Sequence, residues 1–166
     1  MNKVTISFDL DKLKGEERAT LLALVEKANK PKSKVWEPEV GNNYICINAD
    51  GGLTFVCSWR NSQTDQERYK LGNVFKTEAE AKFEVQRLKY LTQYKRLSIE
   101  AGELENPWNN DSPHYYAYYD CKCNSLDFVS CYWFRDGLIY FPTRESCKNA
   151  VNTIGEENFK KYILGI

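Results

Sequence analysis

The stretch Gly72-Asn-Val-Phe-Lys-Thr-Glu-Ala-Glu-Ala-Lys-Phe-Glu-Val-Gln-Arg-Leu-Lys-Tyr-Leu-Thr-Gln-Tyr-Lys-Arg-Leu-Ser98 decides how this chain is organised. Thr77, followed three residues later by Glu80, forms a capping box in which each side chain satisfies an orphaned N–H of a first helical turn. At 100° per residue, Ala81, Val85, Leu88 and Leu91 share an aliphatic face. Ala79, Phe83, Tyr90, Tyr94 and Leu97 share a second, aromatic face, and Lys82, Gln86, Lys89, Gln93 and Arg96 form a polar stripe between the two. A helix with two apolar faces is expected to be packed on both. The segment therefore reads as a spine between two halves of the molecule.

Outward from the spine, the chain repeats itself. Phe75-Lys76-Thr77, Ala81-Lys82 and Val85 match Phe141-Pro142-Thr143, Cys147-Lys148 and Val151 at a constant offset, which points to two related units. The upstream strands align only if a few residues are inserted at the loop from Arg60 to Glu67. In the first unit, Tyr44 to Ile47 and Leu53 to Trp59 flank the turn Asn48-Ala49-Asp50-Gly51-Gly52 as a hairpin. A third strand is expected from about Arg68 to Val74. In the second unit, strands are expected over His114 to Tyr119, Ser125 to Phe134 and Leu138 to Phe141. A helix over Thr143 to Thr153 and a short one over Glu156 to Ile163 follow.

The N-terminal region adds a strand, in which Val4, Ile6, Phe8 and Leu10 alternate with polar residues, and a helix from about Gly15 to Asn29. Lys30-Pro31-Lys32-Ser33-Lys34 is a linker, since proline blocks helix continuation. The organisation is thus 1–34 (strand, helix and linker), 35–98 (first ββ(β)α unit with the long helix), 99–112 (acidic connection) and 113–166 (second ββ(β)α unit). The fold class is α+β, with antiparallel units packed around a long central helix.

Composition narrows the chemistry. The 166 residues carry 23 Lys and Arg against 23 Asp and Glu, and 14% of them are aromatic, with 11 Tyr and 4 Trp. Residues 1–98 hold 17 basic against 13 acidic side chains, and residues 99–166 hold 6 against 10, so a front of +4 balances a back of −4. That argues against a dedicated polyanion binder and fits a polar protein interface or self-association of unlike halves. No apolar run reaches the length of a membrane span and no signal-peptide stretch opens the chain, so a cytoplasmic protein with six reduced cysteines is expected.

Candidate chemistry is thin. His114, the only histidine, stands beside a proline in an aromatic loop with no nucleophile motif near it, and reads as an ordinary surface or strand-edge residue. Cys121-Lys122-Cys123 with Cys131 and Cys147 lacks the paired knuckles of a structural zinc site. Asp9 and Asp11 read as turn carboxylates. No catalytic residue, metal or cofactor is expected.

Two features suit binding. The aromatic cluster around Tyr116, Tyr118, Tyr132 and Trp133 would place rings on both faces of a sheet, one of them either a second core layer or an exposed protein-binding surface. Alternatively, Lys82, Lys89 and Arg96, with Lys30, Lys32 and Lys34 of the linker, would serve a nucleic-acid-associated protein.

Lys32-Ser33-Lys34-Val35-Trp36-Glu37-Pro38, then Tyr44, then Arg68-Tyr69 and Gly72 through Ala81, carry a resemblance. So does the closing Ile154-Gly155-Glu156-Glu157 with Tyr162. The chain is similar to a family of small, largely uncharacterised accessory proteins encoded by phages and prophages of Gram-positive bacteria. The resemblance carries no catalytic residues. It implies a phage accessory protein in the bacterial cytoplasm; by analogy with small phage accessory proteins that lack enzymatic motifs and bind host components such as defence nucleases, binding to a host macromolecule and inhibition of a defence system such as CRISPR–Cas are expected.

Overall fold

The computed structural model describes residues 13–29, 35–51 and 54–166. Residues 1–37 and 38–166 are separate compact units. The first contains α1 (Gly15–Asn29), which opens with Glu16 and Glu17, where carboxylates suit the positive end of the helix dipole. The expected strand from Val4 to Leu10, the Asp9 and Asp11 turn, and Lys30, Lys32 and Lys34 lie outside the described residues.

The second unit is α+β, and its two halves follow one plan. The first half is the hairpin β1 (Asn43–Ile47) and β2 (Thr54–Ser58), then the helices α2 (Gln63–Lys70) and α3 (Glu78–Glu100). The second half is the hairpin β3 (His114–Asp120) and β4 (Ser125–Cys131), then α4 (Arg144–Ile154), α5 (Glu156–Asn158) and a π-helical segment, Phe159–Leu164. Each hairpin is antiparallel and gains one further pairing, Ile45 with Phe75 and Tyr115 with Phe141. Both bridges carry reciprocal backbone hydrogen bonds of 2.8–2.9 Å. Two residues beyond each bridge, Thr77 and Thr143 cap the helices α3 and α4, and each accepts the N–H three residues on.

The third strands are these single bridges, not the runs expected at Arg68–Val74 and Leu138–Phe141. Arg68 instead lies in α2, whose capping box pairs Ser62 with Asp65. The connection from Val56 to Phe75 spans 19 residues, whereas that from Ser130, the equivalent of Val56, to Phe141 spans 11. The excess equals the eight residues of α2, so the insertion placed at the Arg60–Glu67 loop is a helix. Gly72, at φ +72°, ends it in a conformation that β-carbon-bearing residues rarely adopt.

The spine is packed on both sides, but over different spans. Towards its start, Ala81 and Val85 are buried beside the first hairpin. Towards its end, Tyr94 joins Phe141, Cys147, Ala150, Val151, Ile154 and Phe159 in the main core. Its ring lies 5.0 Å from both Phe141 and Phe159. Burial pushes its phenol well above the usual range. Leu88, between these zones, is 43% exposed, and Phe83, near the start of the helix, is 39% exposed although it meets Tyr162 at 5.1 Å. Two fully covered faces were expected; each face is covered only where its own hairpin or helix reaches. Phe75 is likewise half-buried where Phe141 is fully buried.

α2 closes the outer face of the first hairpin. Tyr44 donates its hydroxyl proton to Asp65 Oδ1 at 2.8 Å and accepts from Arg68 Nη1 at 2.9 Å. Burial and the Asp65 carboxylate push the Tyr44 phenol up to about 12 against the pull of Arg68. Burial opposes ionisation of Asp65, but bonds from Tyr44, the Arg60 N–H and Ser62 outweigh it and hold the carboxyl at about 2. Cys46 and Cys57 meet beneath, sulfur to sulfur at 3.5 Å.

Two outcomes are expected. Phe141→Ala removes a fully buried ring and should cost about 3–5 kcal/mol in chemical denaturation, whereas Leu88→Ala should cost under about 1 kcal/mol. A loss at Leu88 as large as that at Phe141 would mean that this part of the spine is covered. Because the folded pKa of Asp65 lies below its unfolded value, its contribution is complete above about pH 4 and lost as pH falls through about 2. Asp65→Asn should therefore lose roughly 2 kcal/mol at neutral pH and flatten the acid limb of the stability profile. An unchanged slope between pH 4 and pH 2 would refute that role.

Candidate functional site

Alternation along β3 sorts its rings. Tyr115 and Ala117, with Leu126 and Phe128 of β4, pack towards the main core. His114, Tyr116 and Tyr118 therefore share the opposite face, across from Cys131, Val129 and Asp127. At the His114 end this face is roofed by Trp108, Phe134 and Tyr140. Trp108 lies flat on the imidazole, with centroids 3.4 Å apart and planes 6° from parallel. Tyr140 and Phe134 meet Trp108 edge-on at 5.0 and 5.5 Å. The Tyr140 hydroxyl accepts from the Arg135 N–H at 2.8 Å and donates to the Arg135 carbonyl at 3.2 Å, which closes the turn between them. Buried Ser98, near the end of α3, donates to the Tyr140 carbonyl and ties the roof to the spine.

Beneath the roof is a polar pair. His114 is fully buried, and its Nδ1 is bonded to Oε1 of Glu103, which stands on a 3₁₀ turn, Glu103–Glu105, just after α3. Asn106 Nδ2 approaches the same ring nitrogen at 3.3 Å and donates to the Pro113 carbonyl. Glu103 Oε2 and His114 Nε2 are buried with no hydrogen-bond partner among the described residues. Such atoms are costly and in native proteins are exceptional. Beside Glu103 opens a cleft of about 340 Å³, walled by Ile99, Leu104, Trp108, Phe134 and Ile139. Its walls are exposed apolar surface: Leu104 is 72%, Phe134 62% and Trp108 43% open to solvent.

The structure redistributes the residues singled out from the sequence. Tyr116 and Tyr118 are half-buried on the outer sheet face, 6.4 Å apart, with the Tyr116 hydroxyl near Arg135 and that of Tyr118 near Asp127. Tyr132 and Trp133 do not extend β4, which ends at Cys131; they project as exposed rings next to Phe134. The outer face is thus neither wholly a second core layer nor wholly open, but roofed at one end. His114 is not the surface or strand-edge residue expected. Glu103, Leu104 and Trp108 were missed; the available signal was an isolated tryptophan inside an otherwise polar connection.

The basic stripe is divided. Lys82 is paired with Glu78 at 2.7 Å. Lys89 and Arg96 line a second cleft of about 550 Å³ with Ile47, Val85 and Leu88, and neither has an ion pair among the described residues. None of that cleft's lining residues carries a buried unpartnered polar atom. Cys121 and Cys123 are exposed in the β3–β4 turn while Cys131 and Cys147 are buried. Among the described residues no three potential metal ligands converge. No helix among them is long and apolar enough to cross a membrane.

No family model, curated protein or solved structure matches the chain.

The roof makes its own prediction. Trp108→Ala removes a stacked ring and two edge contacts and should cost about 1–3 kcal/mol in thermal or chemical melts. It should also open His114, the only histidine, to acylation by diethyl pyrocarbonate, read as a mass increment. The parent protein should resist the reagent while folded. Rapid acylation of the parent would show that the imidazole is not sealed.

Proposed function

We propose that this is a non-enzymatic binding protein that engages a host protein through the aromatic end of its second repeat. The observation that carries this reading is the convergence of exposed apolar side chains there. Ile99, Leu104, Trp108 and Phe134 wall one cleft, and Tyr132 and Trp133 adjoin it in sequence. Large exposed apolar groups gathered in one place mark interaction surfaces, and tryptophan and tyrosine dominate binding hot spots. The rings are held on a fixed frame of β3, β4 and the end of α3, so little ordering would be lost on binding. The resemblance to phage accessory proteins supports a bacterial host component as the partner, with a defence system such as CRISPR–Cas as the class of target.

A second reading has its own support. Lys89 and Arg96 line the larger cleft with no ion pair among the described residues and could contact phosphates of a nucleic acid. The balanced total charge supplies little long-range attraction for a polyanion, which ranks this reading second.

Capture from lysate of a bacterial host, with and without nuclease, separates the two. On the first reading capture survives nuclease, and Trp133→Ala or Phe134→Ala weakens the purified complex by about 30-fold or more, as expected of a hot-spot ring. Joint replacement of Lys82, Lys89 and Arg96 by Gln should change it little. Nuclease-sensitive capture, with a log–log salt slope of roughly −2 that the triple replacement flattens, would transfer the function to the basic residues.

A further inference from the structure

The two repeats serve as an internal comparison. Tyr44 and His114 occupy equivalent places, one residue before the bridging Ile45 and Tyr115, and stand opposite Cys57 and Cys131. Both side chains are buried, and both meet a carboxylate, Asp65 in one case and Glu103 in the other. In the first repeat a guanidinium completes the group, since Arg68 donates to the Tyr44 hydroxyl at 2.9 Å. Both Asp65 and Arg68 come from α2, which also sets Tyr69 against Trp59 at 6.1 Å and so closes that face of the hairpin. The second repeat has no counterpart of α2. There the carboxylate comes from the other direction along the chain, Glu103 Oε2 and His114 Nε2 have no partner among the described residues, and an apolar cleft opens beside Glu103.

We infer that this cleft receives an arginine side chain of the partner, with its guanidinium paired to the carboxylate of Glu103, which lines the cleft, and its alkyl stem along Ile99, Leu104 and Phe134. The inference rests on the protein-binding reading given above and assigns the chemistry of its central contact. A guanidinium suits the place better than an ammonium. It is planar, weakly hydrated, presents a fork of donors to a carboxylate, and stacks on aromatic walls. The surroundings have the complementary sign: residues 99–112 contain Glu100, Glu103, Glu105 and Asp111 and no lysine or arginine. The opposing charge among the lining residues is Lys95, which is exposed and therefore screened by solvent. A turn of the Glu103 side chain towards the cation would give its enclosed oxygen the donor that the described residues do not supply, while the stem covers exposed apolar wall.

The test uses the whole chain and N-acetyl-arginine amide as the probe. Because His114 is the only histidine, one set of imidazole ¹H–¹⁵N signals reports on the site. Titration should shift those signals saturably, with a dissociation constant on the order of millimolar. N-acetyl-norleucine amide, which has a comparable stem and no donor, should bind at least tenfold more weakly. Glu103→Gln, which keeps an acceptor for His114 Nδ1, should weaken the arginine probe tenfold or more, while Lys95→Gln should tighten it. Two results overturn the inference: equal binding of the two probes to the parent protein, which needs no variant to fold, or undiminished arginine binding by a folded Glu103→Gln. If either occurs while Trp133→Ala still abolishes partner capture, the arginine contact falls and the protein-binding reading stands.

Discussion

The structure turns on Tyr94. This residue belongs to the helix of the first repeat, yet its ring is set between Phe141 and Phe159 of the second, with its hydroxyl 3.6 Å from Cys147 Sγ. A two-stranded hairpin with one short helix buries too little apolar surface to be stable alone. The second repeat overcomes this by borrowing the last turns of α3. That explains why α3 has 23 residues and its counterpart α4 only 11. It also explains why the two faces of α3 are covered in different places, since one length of helix serves two partners in succession.

Once one helix is shared, the repeats cannot be symmetric. The first hairpin is closed on its outer face by α2, whose Asp65 and Arg68 satisfy the buried Tyr44. The second hairpin packs on α4, and its outer face is roofed by a loop tryptophan and by the turn that carries Phe134 and Tyr140. The buried position is the same in both, and the groups that reach it differ. A helix delivers two polar side chains at fixed spacing and completes a network, whereas a loop supplies a lid and leaves polar atoms over. Buried polar groups left in that state are where a ligand gains most from arriving, because it restores bonds the protein itself lacks.

The outlines of this arrangement are legible in the residues. Thr77 with Glu80, and Phe75 with its echo at Phe141, disclose capped helices and a repeated bridge because capping and strand entry are local chemistry. The same local logic was present at Ser62 and Asp65, but the surrounding Arg60–Glu67 segment is polar throughout, and α2 has no apolar periodicity to announce it. It is held by buried Asp65, by the Arg68 bond to Tyr44 and by an edge contact of Tyr69, all of which require the hairpin to exist first. Tyr132 and Trp133 looked like a strand because aromatic runs favour extended structure. β4 ends at Cys131 because the pairing runs out opposite His114.

What the amino-acid order determined by itself was therefore the two hairpins and every helix but α2, the duplication, and the long two-faced spine, each governed by spacing over a few residues. The candidate site was decided elsewhere. Glu103, Trp108, His114 and Phe134 are dispersed along the second half of the chain, and no periodicity links them. They meet only because Ser98 and Tyr94 fasten α3 to the second repeat, which sets the following turn and loop over the outer face of β3. A histidine beside a proline in an aromatic loop has the same local sequence whether it faces water or is sealed beneath a tryptophan. Burial is a property of what folds over a residue, and that is settled by tertiary packing.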